Sequence, residues 1–209
     1  MPKGSEALTN ARKEEIVDAC AALYETMGFR DITIRDIGAK TSFTRTSIYN
    51  YFQTKEEIFL ALLQREHELW IADLEELARQ DGALSAEGFA DRMARTLERR
   101  ACMLKLESMN LYDMEGSSRM ENLVSFKKTY ARAMEAVTHC LERFFPAMTA
   151  QDIREFLYAF FPFLFGVYPY AVPTEKQQRA MELAQVERPG YSIYEIVRAF
   201  VQKMLRPFS

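Results

Sequence analysis

A chain of 209 residues that is 48% hydrophobic and 27% charged can bury a sizeable core, as one domain or as a small domain fused to a larger one. Its formal net charge of −3 excludes a protein coated in basic surface, so any contact with nucleic acid has to be local. The opening "MPKGSEALTNARKEE" has no apolar core, and no later stretch reaches the roughly 18 uninterrupted apolar residues of a membrane span, which predicts a cytoplasmic chain with no membrane contact.

Taken in chain order, apolar residues recur at helical spacing through Ile16, Cys20, Leu23 and Met27 until Gly28 ends the first helix. Capping-box patterns then follow at Thr33 with Asp36, Thr54 with Glu57, Thr149 with Asp152, Thr174 with Gln177, and Ser192 with Glu195. They predict short helices over 33–40 and 44–51, then a long one over 54–80, roughly 40 Å from end to end. Further helices are expected over 86–104, 121–145, 151–170, 174–186 and 192–205, with "DMEGSSRM" as a break and "RPG" at 188–190 as a turn. No stretch alternates as a strand does. The expected fold is all-α, with a small unit over residues 1–53 joined by the long helix to a larger unit over 54–209.

The two short helices need a reason for their length. On the second, Ile48 and Phe52 share the inward face, while Arg45, Thr46, Tyr49 and Asn50 are left on outer faces. Short helices joined by a tight turn describe a helix-turn-helix, whose second helix enters the major groove of double-stranded DNA with its N-terminal residues near base edges. Arg pairs with guanine, Asn with adenine, and Thr offers a hydroxyl and a methyl to thymine. Between Gly28 and Lys55 stand five basic residues, Arg30, Arg35, Lys40, Arg45 and Lys55, against Asp31 and Asp36, so an acidic chain carries a locally basic module. By residues alone, the other reading is an ordinary helical hairpin with aromatic core positions and solvated charges.

The whole string "GFRDITIRDIGAKTSFTRTSIYNYFQTKEEIF" closely resembles the DNA-binding signature of TetR-family transcriptional repressors: "T-x-x-D-I" opens the second helix, "Y-x-Y-F" closes the third and "K-E-E-I" starts the fourth. The resemblance covers roughly the first 60 residues; the rest of the chain matches the family in size and helical organisation. It implies that Thr44, Arg45 and Thr46 approach bases, that Thr33, Tyr49, Tyr51 and Lys55 hold phosphates, and that Asn50 serves either role. Many members have a glycine in the turn where this chain has Thr41 and Ser42, so a residue there is expected to face a positive φ.

The resemblance also implies a homodimer, since one helix-turn-helix covers only a few base pairs and a symmetric pair reads two half-sites of a palindromic operator. Its interface is expected on helices 151–170 and 192–205 through Phe156, Phe160, Phe163, Leu164, Ile196 and Phe200; packing of these residues inside the monomer is the alternative. A pocket for a small, apolar or amphipathic effector is implied as well. Met103, Phe126, Tyr130, Met134, Tyr158, Phe161, Phe165 and Tyr168 are expected as its apolar lining, with Glu107, Asn110 and Asp113 as orienting polar groups. The expected function is repression relieved by that effector; control by a protein partner is the alternative, and a helical ligand-binding protein whose head no longer reads DNA is a third reading.

Nothing in the sequence points to an enzyme or a metal. His67 and His139 stand far apart without metal-ligand spacing, and Cys20, Cys102 and Cys140 form no C-x-x-C pair. Neither a nucleophile elbow, a phosphate-binding loop nor a dinucleotide fingerprint occurs, so no cofactor is expected.

Overall fold

The computed structural model describes residues 3–187 and 189–208, with the side chains of residues 3–5, Arg45 and Met109 outside the described set. Every regular element among the described residues is helical: α1 (Lys3–Tyr24), α2 (Ile34–Ala39), α3 (Arg45–Ile48), α4 (Lys55–Ala78), α5 (Ala86–Glu98), α6 (Ala101–Gly116), α7 (Met120–Phe144), α8 (Ala150–Ala171), α9 (Glu175–Leu183) and α10 (Ile193–Leu205), then a single 3-10 turn (Arg206–Phe208). The all-α expectation is met.

The helix starts follow the hydroxyl signals. Thr33, Thr149, Thr174 and Ser192 stand in extended backbone just before α2, α8, α9 and α10; each accepts from the amide three residues on, and that residue's side chain accepts from the cap amide in return. Thr54 behaves differently. Its hydroxyl accepts from Glu57 N at 3.2 Å, but the Glu57 carboxylate turns away to Gln53 N at 2.8 Å and to Arg119.

One expected helix is two. Over 86–104 the helix breaks at Arg99 and Arg100, and both guanidinium groups there pair with Asp73 of α4: Arg99 Nη2 lies 3.3 Å from Oδ1 and Arg100 Nε 2.9 Å from Oδ2. No glycine or proline marks the break, and the helix that follows it, α6, runs on to Gly116. Two prolines, Pro162 and Pro169, sit inside α8, and Pro162 is placed on its exposed side.

By compactness the chain forms two units, each of two segments. One unit is Met1–Arg65 with Asn110–Lys128, the other Glu66–Met109 with Thr129–Ser209. Hydrogen bonds hold the distant segment in the first unit: the Tyr24 hydroxyl donates to Asn110 Oδ1 at 3.0 Å, the Thr54 hydroxyl to Ser117 O at 3.1 Å, and Arg119 to Glu57 and to Tyr51 O. The first unit's core stacks Ile16, Cys20, Leu23, Ile37, Ile48 and Ile58, and both Tyr24 and Phe29 rest their rings on Phe59, with centroids 5.3 and 4.6 Å away.

The second unit is built on Trp70, Phe89, Met93, Leu97, Leu141, Phe156, Phe160 and Val197, all buried. Its α10 packs against α5 and α8. At the rim, the Tyr194 hydroxyl donates to Asp91 Oδ1 at 2.5 Å and Arg198 Nη2 reaches Glu87 Oε1 at 2.7 Å. Among the described residues, no single helix is long and apolar enough to cross a membrane, and no group of histidine, cysteine and carboxylate side chains is arranged to hold a metal ion.

Candidate functional site

In the first unit, α3 is four residues long and is followed by a hydrogen-bonded turn through Phe52, whose amide donates to Ile48 O at 3.0 Å. Ile48 and Phe52 are buried, so the helix is anchored by one side only. Thr44, Thr46, Tyr49 and Asn50 are exposed, and the Thr44 and Ser47 hydroxyls share a hydrogen bond of 3.1 Å at the helix start. The Arg45 side chain lies outside the described residues.

The turn between α2 and α3 has no glycine and no left-handed residue: among the described non-glycine residues only Gln185 has positive φ. The side chains do the work instead. The Thr41 hydroxyl bridges Gly38 O at 3.0 Å and Phe43 O at 3.1 Å. Ser42 donates from both its amide and its hydroxyl to the Glu15 carboxylate of α1, the hydroxyl at 3.0 Å. The positive φ expected at Thr41 or Ser42 is therefore absent.

Two of the residues expected on phosphates are committed elsewhere. Thr33 spends its hydroxyl and its amide on Asp36, at 2.5 and 2.9 Å, and the hydroxyl hydrogen bond holds the Asp36 carboxyl below its ordinary range. Lys55 donates to Phe29 O at 2.8 Å, Ile32 O at 3.2 Å and Arg30 O at 3.5 Å, with its ammonium 4.7 Å from the Phe29 ring. All three of its N–H groups point at carbonyls, which makes it a clamp on the loop after α1. Tyr51 is half-buried, and its hydroxyl accepts from Arg12 Nη1 at 3.1 Å. Arg12 and Glu15, 39 and 27 residues away from the side chains they meet, are residues that local spacing does not reveal.

Behind α3 lies a heavily bonded carboxylate of the first unit. The buried Glu57 carboxylate accepts from Arg119 N at 3.0 Å, Arg119 Nε at 2.7 Å, Arg119 Nη2 at 2.9 Å and Gln53 N at 2.8 Å. Arg119 Nη2 also reaches Tyr51 O at 3.3 Å, which ties the loop between α6 and α7 to the chain just after α3. Burial alone would raise the Glu57 pKa, but the hydrogen bonds from Arg119 and Gln53 hold it below the ordinary value.

The residues expected around an effector are not brought into one group. Asn110, Asp113 and Phe126 belong to the first unit: Asn110 is held by Tyr24, Asp113 is exposed and Phe126 is buried. Tyr158 is 76% exposed and lines no interior. Met103, Glu107, Tyr130, Met134, Phe161, Phe165 and Tyr168 do share the second unit, the first two and Phe161 buried, the others half-buried. His67, read in sequence as a surface or packing residue, is fully buried with Nε2 3.0 Å from Glu107 Oε1. Its ring lies 5.8 Å from that of Tyr130. Burial, followed by the charge of Glu107, pushes the Tyr130 hydroxyl up to about 12.

The expected dimer residues divide between buried and half-buried positions. Phe156, Phe160 and Leu164 are buried inside the subunit, because α8 turns that face toward α10 and Trp70; Phe160 lies 6.5 Å from the Trp70 ring. Phe163, Ile196 and Phe200 are half-buried, and Phe163 and Phe200 stack at 3.9 Å. The outer face of α8 instead presents Tyr158, Pro162, Gly166 and Tyr170 at four-residue intervals, with Tyr170 also 76% exposed. Beside it, Phe163, Gly166, Val167, Tyr170, Tyr191 and Ile196 border an apolar groove of about 330 Å³.

Comparison with known proteins covers both units. Residues 16–62 match the family model described as bacterial regulatory proteins, tetR family, and residues 64–206 match the one described as tetracyclin repressor-like, C-terminal domain. Two uncharacterized HTH-type transcriptional regulators of Bacillus subtilis (strain 168) are similar in part. YdgC is 30% identical over 86 residues, 41% of this chain and 44% of that protein. YfiR is 29% identical over 63 residues, 30% of this chain and 31% of that protein, so the chain spans less than half the length of either relative. Among solved structures, the fatty acid degradation regulator FadR from Bacillus halodurans has a TM-score of 0.60 at 15% identity, over 93% of this chain and 94% of that one. FadR from Bacillus subtilis in complex with stearoyl-CoA has a TM-score of 0.57 at 14% identity, over 91% and 96%. At these identities the likeness is one of fold.

Proposed function

This chain belongs to the tetR family of bacterial transcriptional regulators, and we propose on that premise that it is a homodimeric repressor that binds a palindromic operator and is released by a small apolar or amphipathic molecule. The observation that carries the DNA-binding part is the build of α3: a four-residue helix anchored by Ile48, with Thr44, Thr46, Tyr49 and Asn50 turned to solvent. Thr44, Thr46 and Asn50, with Arg45, suit base edges. Tyr49 and Tyr51, with Arg12 beside the latter, suit phosphates and set the register.

A single short helix reads few bases, so two copies are needed. The surface proposed for the second copy is the outer stripe of α8, Tyr158, Pro162, Gly166 and Tyr170, with the adjoining groove. Two tyrosines so exposed on one face of a helix, beside an apolar groove, suit an interface. Residues 1–53 would then act as the reading head and 54–209 as the effector and dimer unit. The interior of the second unit, rich in aromatic and methionine side chains, supports an apolar effector, and the fold is one in which FadR from Bacillus subtilis was solved with stearoyl-CoA. Such a molecule changes DNA binding only by favouring one arrangement of the protein over another. The helices α4, α6 and α7, each contributing residues to both units, are the segments through which it would do so.

The test is selection of bound duplexes from a random DNA pool with the purified protein at near-physiological salt. The expected product is a palindrome with half-sites spaced by about one helical turn. Sequence-blind, salt-sensitive binding alone would overturn the operator reading, and a monomeric mass by light scattering would overturn the dimer.

A further inference from the structure

Glu107 projects from α6 with 4% of its surface exposed. One carboxylate oxygen, Oε1, lies 3.0 Å from His67 Nε2, and the other, Oε2, has no hydrogen-bond partner among the described residues. A carboxylate oxygen withdrawn from water without a donor is strongly unfavourable, and folded proteins rarely keep one that nothing meets. The oxygen therefore calls for a donor that the chain does not supply.

The surroundings suit an aromatic or aliphatic body attached to that donor. His67, Tyr130, Phe161 and Trp70 form a continuous run of rings, with centroids 5.8, 5.3 and 6.0 Å apart in turn. Met103 stands one helical turn before Glu107 on the same face of α6, and Met134 one turn after Tyr130 on α7. On α8, Phe165 and Tyr168 continue the face of buried Phe161 and are half-buried, so the apolar surface leads from the interior toward water.

We infer that, granted the effector reading above, Glu107 Oε2 receives an N–H or O–H of the effector, which is an apolar or aromatic compound bearing an amine or a hydroxyl. An anionic head is disfavoured, because a second negative charge beside Glu107 in a poorly hydrated interior meets repulsion that little water screens. A neutral or cationic donor meets none.

The experiment uses four compounds that share one skeleton, phenylbutylamine, phenylbutanol, phenylbutyrate and butylbenzene, titrated into the full chain with thermal stability and ligand-observed NMR as readouts. The amine or the alcohol is expected to bind about tenfold more tightly than phenylbutyrate, as a charge-assisted hydrogen bond would provide. In Glu107→Gln that preference shrinks; loss for the amine alone identifies the carboxylate charge as what is read, and loss for both identifies the acceptor. Equal or tighter binding of phenylbutyrate overturns the inference, as does a preference unchanged in Glu107→Gln. The ranking in the unaltered protein stands even if the variant folds poorly. Binding of butylbenzene alone keeps the apolar effector and removes the donor site; binding of none of the four removes both.

Discussion

Glu57 in the first unit and Glu107 in the second are both buried carboxylates, 1% and 4% exposed, yet their surroundings are opposite. Glu57 accepts four N–H groups, three of them from Arg119. Glu107 lies near a single histidine and keeps Oε2 open among the described residues. A buried charge that its own chain satisfies is a joint: removing one side strands the other. A buried charge left half-satisfied adds little to folding, and what keeps it in place is sought outside the chain. The unit proposed to grip DNA is thus closed around its carboxylate, and the unit proposed to sense a molecule is not.

The largest expected effect breaks the joint. Arg119→Ala leaves the Glu57 carboxylate buried with two backbone donors, and denaturant unfolding is expected to show a loss of about 3 kcal/mol. The double substitution Glu57→Leu with Arg119→Met should recover most of it, since an apolar pair replaces a buried ion pair at little cost. A small loss in the single variant would put Glu57 in the same class as Glu107.

Acidification tests the same joint without mutation. The folded pKa of Glu57 is depressed, so its contribution is complete above the unfolded carboxylate value and is lost as pH falls through the folded one. Stability followed by circular dichroism should decline on acidification below the ordinary carboxylate range, and the decline should be shallower in Glu57→Gln. Parallel curves for the two proteins would remove Glu57 from the account.

Lys55→Ala removes hydrogen bonds to three carbonyls of the loop after α1, and about 1–2 kcal/mol of stability should go with them. Because that ammonium is already committed, the salt dependence of DNA binding should keep its slope; a slope reduced by about one would restore Lys55 as a phosphate contact. The smallest change is expected at Glu107→Gln. With one oxygen already unmatched, unfolding stability should stay within about 1 kcal/mol of the original, and a loss as large as that of Arg119→Ala would end the contrast between the two carboxylates.

How much of this could be read from sequence follows the distance over which each interaction acts. Thr33, Thr149, Thr174 and Ser192 announced their helices because a cap and its reciprocal acceptor lie three residues apart. Ile48 and Phe52 announced the anchored side of α3 by helical spacing. Glu57 carried the same local pattern, yet its carboxylate went to Arg119, 62 residues on. One expected helix broke at Arg99 and Arg100 with no glycine or proline to signal it. Phe156 and Tyr158 are alike in composition and opposite in burial, which only the packing of α8 decides. The reading helix was legible because a helix anchored on one side leaves a local trace; Arg12, Glu15 and the His67–Glu107 contact depend on tertiary approach and leave none.

The most direct test of the account is amide hydrogen exchange of the full chain, alone and with the duplex recovered by selection. Protection on DNA binding is expected at residues 33–51, across α2, the turn and α3, with residues 129–187 and 189–208 exchanging as before. Protection confined to those later residues, with none over 33–51, would contradict the assignment of DNA reading to the first unit.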